Sequence, residues 1–215
     1  MNNVLRDGLS FCRVGEQFVF LDISHGRYFA LSGANNAAFA DWLAGHKVQS
    51  DAQKQLLASG ILIRSEAAEE LNQGVNIDIP EMCLSHSAVA EMAITLRAVV
   101  ELTRAKASVK HDTLPEIIAA LRLQPSPTSA VAAFRAAERV SAALQRAGRI
   151  ISTRDACLAK SISAMRMLSG RDSSAKMVFG VRLHPFIAHC WVQNEYGLIT
   201  DHFDHVESFT PILVI

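Results

Sequence analysis

The hydrophobic pattern of this chain changes period twice, and that succession restricts its fold more than any single motif. Residues 8–31 read as three β-type runs, SFCRV, QFVFLDI and RYFALS, separated by Gly15-Glu16 and Ser24-His25-Gly26. Helical spacing then dominates to about residue 147, and a β-type pattern returns in KMVFGVRL and FIAHCWVQ. The order predicts an α+β protein: a winged-helix-like β-meander with helices, followed by helices that lead into a small antiparallel sheet.

The first unit is expected over residues 1–75. After the three-stranded meander, GANNAAFADWLAG predicts a helix closed by Gly45, and SDAQKQLLASG a helix from an N-cap Ser50 to Gly60. ILIR supplies a short strand or wing. Residues 71–79 are polar and uncommitted, and Pro80 stops a helix, so the linker falls there and the second unit spans 80–215. In that unit residues 85–107 carry Val89, Met92, Ala93, Leu96, Val99 and Val100 at 3.6-residue spacing, a stripe expected to face the core. TLPEIIAALRL places Pro115 near a helix start, and residues 129–147 continue an Ala-rich helix ended by Gly148.

The charge balance, 21 Lys+Arg against 21 Asp+Glu, creates no global field for nucleic acid or an anionic membrane. No apolar run approaches the roughly 20 residues of a spanning helix, and the N-terminus has no signal-peptide pattern, so a cytoplasmic protein is expected. The four cysteines, Cys12, Cys83, Cys157 and Cys190, are scattered without a C-x-x-C pair, which argues against a zinc knuckle and a disulfide framework.

Cys157 stands out. Ser152-Thr153-Arg154-Asp155 has capping-box spacing with Asp in place of Glu, predicting a helix start that leaves Cys157 near the first turn. Unpaired N–H groups and the helix dipole there lower a thiol pKa. The bland alternative is a buried, inert cysteine. A nucleophile needs a base and an orienting group. His189 sits in an apolar β-type run and Asp201 closes the next, with a break at Asn194-Glu195-Tyr196-Gly197 between them. A three-residue hairpin loop with Gly197 left-handed puts His189 and Asp201 on one face; an even loop puts them on opposite faces. Cys190 then points away from His189 as packing beside Trp191. His184, before Pro185, reads as a solvated loop histidine. DHFDH, residues 201–205, lacks an established metal spacing and reads as a polar tail, so no metal site is expected.

STRDACLAKSISAMRML, FGVRL, FIAHCWVQNEYGLITD and FTPIL together resemble the leader peptidase of lasso-peptide biosynthesis, the B protein, whose fold is similar to transglutaminases and papain-like proteases. The resemblance covers roughly residues 140–215 and implies a catalytic triad of Cys157, His189 and Asp201. Cys190 departs from it, standing where Ala is expected, and is expected to stay out of the chemistry. FVFLDISHGRYFALSGANNAAFADWLAG resembles the recognition element typified by the pyrroloquinoline-quinone chaperone (PqqD) family. That resemblance implies a leader peptide added as a strand to the sheet edge, over Arg27, Tyr28, Phe29, Ala30 and Leu31, beside a helix presenting Gln55 and Leu56.

The two resemblances imply a cytoplasmic cysteine peptidase of antibiotic-type lasso-peptide biosynthesis that frees the amine of a ribosomal precursor. An asparagine-synthetase-like, ATP-dependent cyclase would be its partner. This chain has no G-x-x-x-x-G-K-[ST] and no G-x-G-x-x-G, so no cofactor is expected on it and ATP belongs to the cyclase. Acyl transfer to an amine by the same three residues, and a leader-binding adaptor without catalysis, are the alternative readings.

Overall fold

The computed structural model describes residues 2–46, 50–65, 75–84, 91–121, 129–151 and 156–215. It divides into two compact units, Met1–Val75 and Asn76–Ile215, and its mixture of sheets and helices is α+β.

In the first unit β2 (Leu9–Val14), β3 (Gln17–Asp22) and β4 (Arg27–Ala30) form an antiparallel meander in that order. Its inner face is aromatic. Phe39 of α1 (Gly33–Leu43) meets Phe11, Phe18 and Phe20 edge-on at 5.2, 5.0 and 4.9 Å. Burying each such ring is worth about 1.5–3 kcal/mol before edge-to-face geometry adds to it. A strand the hydrophobic pattern did not reveal, β1 (Asn2–Leu5), pairs with β5 (Leu62–Ser65) in a separate ribbon. It is short and partly polar, and its partner lies some sixty residues away, so local alternation carries no trace of it. α2 (Ser50–Ala58) completes the unit, with Leu56 fully buried in the core.

In the second unit α3 (Met92–His111), α4 (Leu114–Ala120), α5 (Ala130–Ile150) and α6 (Cys157–Leu168) precede a four-stranded antiparallel sheet ordered β8-β7-β6-β9. Its strands are β6 (Lys176–Arg182), β7 (Ile187–Asn194), β8 (Gly197–Leu198) and β9 (Thr210–Val214), and a single-turn α7 (Phe203–Val206) sits before β9. α3 packs against α5 and α6, and α6 against β7. The buried face of α3 is not the large-residue stripe expected from the sequence. Thr95, Ala98, Leu102 and Ala105 are buried, whereas Met92, Leu96 and Val100 are exposed. The small residues Ala98 and Ala105 let two helices approach closely, and this outweighs raw hydrophobicity in choosing the inner face. Residues 85–90, the start of the expected helix, and the expected cap Ser152–Asp155 lie outside the described residues, as does the side chain of Ser50. α4 starts with the Thr113 and Glu116 side chains reciprocally capping the backbone and Pro115 in its first turn.

Candidate active site

Cys157 is the first residue of α6, and its N-cap, Ala156, contributes no side-chain cap. The N–H groups of the first helical turn have no intrahelical acceptor, which makes this end of α6 receptive to a negative charge. The helix is held in register on β7 one turn later, where the Ser161 hydroxyl donates to the Cys190 carbonyl at 3.2 Å with both groups buried. That docking sets the Cys157 thiol beside His189 and Cys190, near enough for both to act on its ionisation.

His189 Nε2 donates to Asp201 Oδ2 at 3.0 Å, and both side chains are only 12% exposed. Because Asp201 occupies Nε2, Nδ1 is the ring nitrogen left for the Cys157 sulfur. The route by which Asp201 reaches His189 differs from the sequence expectation. Asn194 pairs with Gly197 and Gln193 with Leu198, so the hairpin loop has two residues, an even number. Gly197, at φ 157°, is not in the left-handed helical conformation. Parity is restored beyond β8, where the Val192 carbonyl accepts from both Ile199 N (2.9 Å) and Thr200 N (3.4 Å). Two residues thus oppose one, as in a β-bulge, and Asp201 returns to the face of His189. Thr200 Oγ1 completes the arrangement by accepting from Val192 N at 2.8 Å. The turn itself is held by Asn194 Oδ1, which accepts from Tyr196 N and Gly197 N, each at 3.0 Å.

The segment carrying Asp201 is gripped from three sides. Ser141 of α5 donates to Ile199 O at 2.6 Å, Lys160 of α6 to Thr200 O, and the Cys83 thiol to Asp201 O at 3.3 Å. Trp191 lies behind the imidazole, its plane nearly parallel to it with centroids 6.2 Å apart, and Phe209 packs beside it at 5.3 Å.

The electrostatics follow from these contacts. Hydrogen bonds from Cys190 and His189, opposed by burial, lower the Cys157 thiol from 9.0 to about 4. Burial works against a charged His189, but hydrogen bonds to Asp201 and Cys157 and their charges raise it from 6.5 to about 9. Asp201 is depressed: burial opposes ionisation, and hydrogen bonds from His189 and His205 outweigh it. Between those limits the stable form is a thiolate–imidazolium pair. The Cys190 thiol, fully enclosed, is pushed well above its ordinary value by the adjacent Cys157 sulfur and by burial, so it stays a donor. Cys190 therefore takes part in the site, correcting the expectation that it serves only as packing. It neighbours His189 on β7, where its carbonyl accepts from Ser161 of α6. Cys12, by contrast, is buried and raised to about 12, an inert thiol.

One residue at the site was missed. Asp201–His205 is not a polar tail: it leads into α7, and β9 follows. His205 Nδ1 donates to Asp201 Oδ1 at 2.7 Å, and His189, Asp201 and His205 present ligand-type atoms all within 4.8 Å. The two imidazoles sit at hydrogen-bonding distances from opposite oxygens of one carboxylate. The i, i+4 spacing of Asp201 and His205 was the available signal. His184 is exposed in the β6–β7 turn, with no role at this site.

In the first unit Arg27, Tyr28, Phe29 and Leu31 line an open groove of about 690 Å³ that also meets the Ser59–Ile61 turn after α2. Ala30 is exposed on the same strand, and Gln55 is exposed on α2 but does not line the groove. Leu56, fully buried, belongs to the core rather than to any binding surface: the α2 position that points inward is the one that must be apolar. Leu31 N donates to Phe18 O at 3.0 Å. By strand alternation, the N–H and C=O groups of Tyr28 and Ala30 face away from β3 along the edge of the meander.

A thiol at a helix start, beside a strand-borne imidazole and a carboxylate on an α+β scaffold, is compatible with a cysteine peptidase or acyltransferase. The chain belongs to the transglutaminase-like superfamily, whose family profile matches residues 98–214, more than half of its length. No curated protein and no solved structure matches the chain. Among the described residues, no helix is long and apolar enough to cross a membrane.

Proposed function

We propose that this protein is a cysteine peptidase that binds the leader of a ribosomal lasso-peptide precursor and cleaves it from the core. The observation that carries the reading is the Cys157 thiol at the start of α6, beside an imidazole held by Asp201. The meander edge at Tyr28 and Ala30 and the adjoining groove support leader capture by strand addition, with the recognition unit and the peptidase on one chain.

In the first step the Cys157 sulfur attacks the carbonyl carbon of the last leader residue. Backbone N–H groups at the start of α6, that of Cys157 first, receive the oxyanion. The C–N bond then breaks, and the His189 imidazolium gives its Nδ1 proton to the departing core amine. Water, deprotonated by the same nitrogen, attacks the thioester and releases the leader carboxylate and the thiolate. Asp201 holds the imidazole in its orientation and stabilises the imidazolium. The freed amine is the nucleophile that an ATP-dependent, asparagine-synthetase-like cyclase would join to a core carboxylate.

The test is mass spectrometry of a leader-bearing lasso precursor incubated with this protein, the cyclase and ATP, alongside Cys157→Ala. Cleavage at the leader–core junction by the unsubstituted protein alone is expected, with leader binding retained by the variant. An amide carrying an added amine would show transfer instead, and equal inactivity of both proteins with intact leader binding would leave an adaptor.

A further inference from the structure

We propose that His205 is a positioning residue of this active site: through its hydrogen bond to Oδ1 it fixes the Asp201 carboxylate and thereby sustains the Cys157–His189 ion pair. The inference deepens the peptidase reading and rests on it for the identity of the reacting groups.

Asp201 lies between two imidazoles, with Oδ2 on His189 Nε2 at 3.0 Å and Oδ1 on His205 Nδ1 at 2.7 Å. Only rotation about the Cβ–Cγ bond separates a carboxylate aimed at His189 from one turned out of line. A donor on the second oxygen removes that freedom. His205 is well placed to act as a prop. It sits on α7, its ring centroid lies 4.6 Å from that of His189, and Phe209 stands 6.1 Å from it at 90°. Its side chain is 59% exposed while that of Asp201 is 12% exposed, so the carboxylate it bonds is largely withdrawn from water. A carboxylate that is fixed and kept from water supports an imidazolium more strongly than one that is hydrated.

Among the described residues, charged and titratable groups face this cluster from β6, β7, α6 and the segment at Cys83. His189 and Cys190 come from β7, Cys157 and Lys160 from α6, Cys83 bonds the Asp201 carbonyl, and the Arg182 guanidinium of β6 lies over the Phe209 ring at 5.3 Å. None of these donates to Asp201 Oδ1 in the structure, so the prop has no substitute among them.

The experiment follows alkylation of Cys157 by iodoacetamide from pH 3 to 10, which needs no peptide substrate, together with kcat and KM on the precursor. It compares the unsubstituted protein, His205→Ala and His205→Asn, with thermal unfolding of each. Asn can present an N–H close to the position of Nδ1. For His205→Ala the expected result is an acid limb moved to higher pH and kcat lowered about 10-fold or more, the scale of one hydrogen bond to a charged group, with KM little changed. In His205→Asn both should return most of the way. Limbs in His205→Ala that coincide with those of the unsubstituted protein would overturn the proposal. So would a folded His205→Asn no better than the Ala variant, or an unsubstituted protein whose Cys157 alkylates with an ordinary thiol profile. Normal alkylation behaviour without precursor cleavage would instead sink the peptidase reading while leaving the role of His205 decided by the alkylation limbs.

Discussion

Gly180 of β6 lies against the indole of Trp191, so closely that a Cβ built on it would stand 2.7 Å from Cζ3 and 2.9 Å from Cη2. Gly180 is also the residue opposite His189 in the β6–β7 ladder, and a register shift falls between it and Phe179. The missing side chain makes room for the ring that backs the imidazole. Gly180→Ala must displace either Trp191 or the strand, and overpacking of a buried site of this kind costs about 1–3 kcal/mol. Urea unfolding should register that loss, and alkylation of Cys157 should slow because the support behind His189 has moved. An Ala variant as stable and as reactive as the parent would mean that Trp191 yields freely.

The ion pair sets a pH window. Below about 4 the Cys157 thiol is protonated, and above about 9 His189 has lost its proton; on the peptidase reading the first stops attack and the second removes the acid for the leaving amine. The expected kcat/KM profile on a cleavable precursor is a bell with limbs near those values, which belong to the coupled pair rather than to either residue alone. Alkylation by iodoacetamide should show only the acid limb, since the thiolate persists at high pH. A single alkylation limb at the ordinary thiol position would show that no ion pair forms.

Cys190 donates to the Cys157 sulfur, and that hydrogen bond heads the causes of the lowered thiol pKa. In Cys190→Ala the side-chain donor is gone while the backbone N–H of residue 190 and the His189 contact remain. A hydrogen bond to a charged group carries about 1.5–3 kcal/mol, so the acid limb should move upward by about one to two pH units. Turnover near neutral pH should survive. Alkylation of the variant as a function of pH reads the shift directly, and an unmoved limb would return Cys190 to the role of packing.

Ala30 points its N–H along the open edge of the meander. Ala30→Pro removes that donor while leaving the inner ladder bonds in place, a substitution edge strands accommodate. If the leader adds as a strand here, its dissociation constant should rise about 10-fold, the scale of one lost hydrogen bond. Ala30→Val, which keeps the N–H, should bind like the parent. Fluorescence anisotropy of a labelled leader makes the comparison, and equal affinity of all three would place leader binding elsewhere. Phe29 is a poorer target, because its ring stacks on Phe20 at 5.1 Å and packs against the core.

The sequence by itself determined where most elements lie and which residue types carry the chemistry. Alternation with period two located β2, β3, β4, β6 and β7, and spacing of 3.6 with capping signals located the helices other than α7, because both periods arise from local backbone geometry. It also set Cys157, His189 and Asp201 in the order that pointed to a thiol nucleophile with a base and an orienting group. What it left open were relations between segments distant along the chain. The inner face of α3 was decided by how closely α5 and α6 approach it. β1 became a strand because β5 was there to pair with it. The step from an even hairpin loop to a shared face for His189 and Asp201 depends on one carbonyl, that of Val192, accepting two N–H groups. Periodicity cannot anticipate such a bulge, because it adds a residue without changing the composition around it. Cys190 and His205 entered the site for the same reason: the docking of α6 on β7 and the turn of α7 bring their side chains to atoms that sequence spacing alone does not connect. Tertiary packing selects among the parities and faces that local pattern leaves equivalent, and in this protein those choices bring Cys157, His189, Asp201 and His205 together.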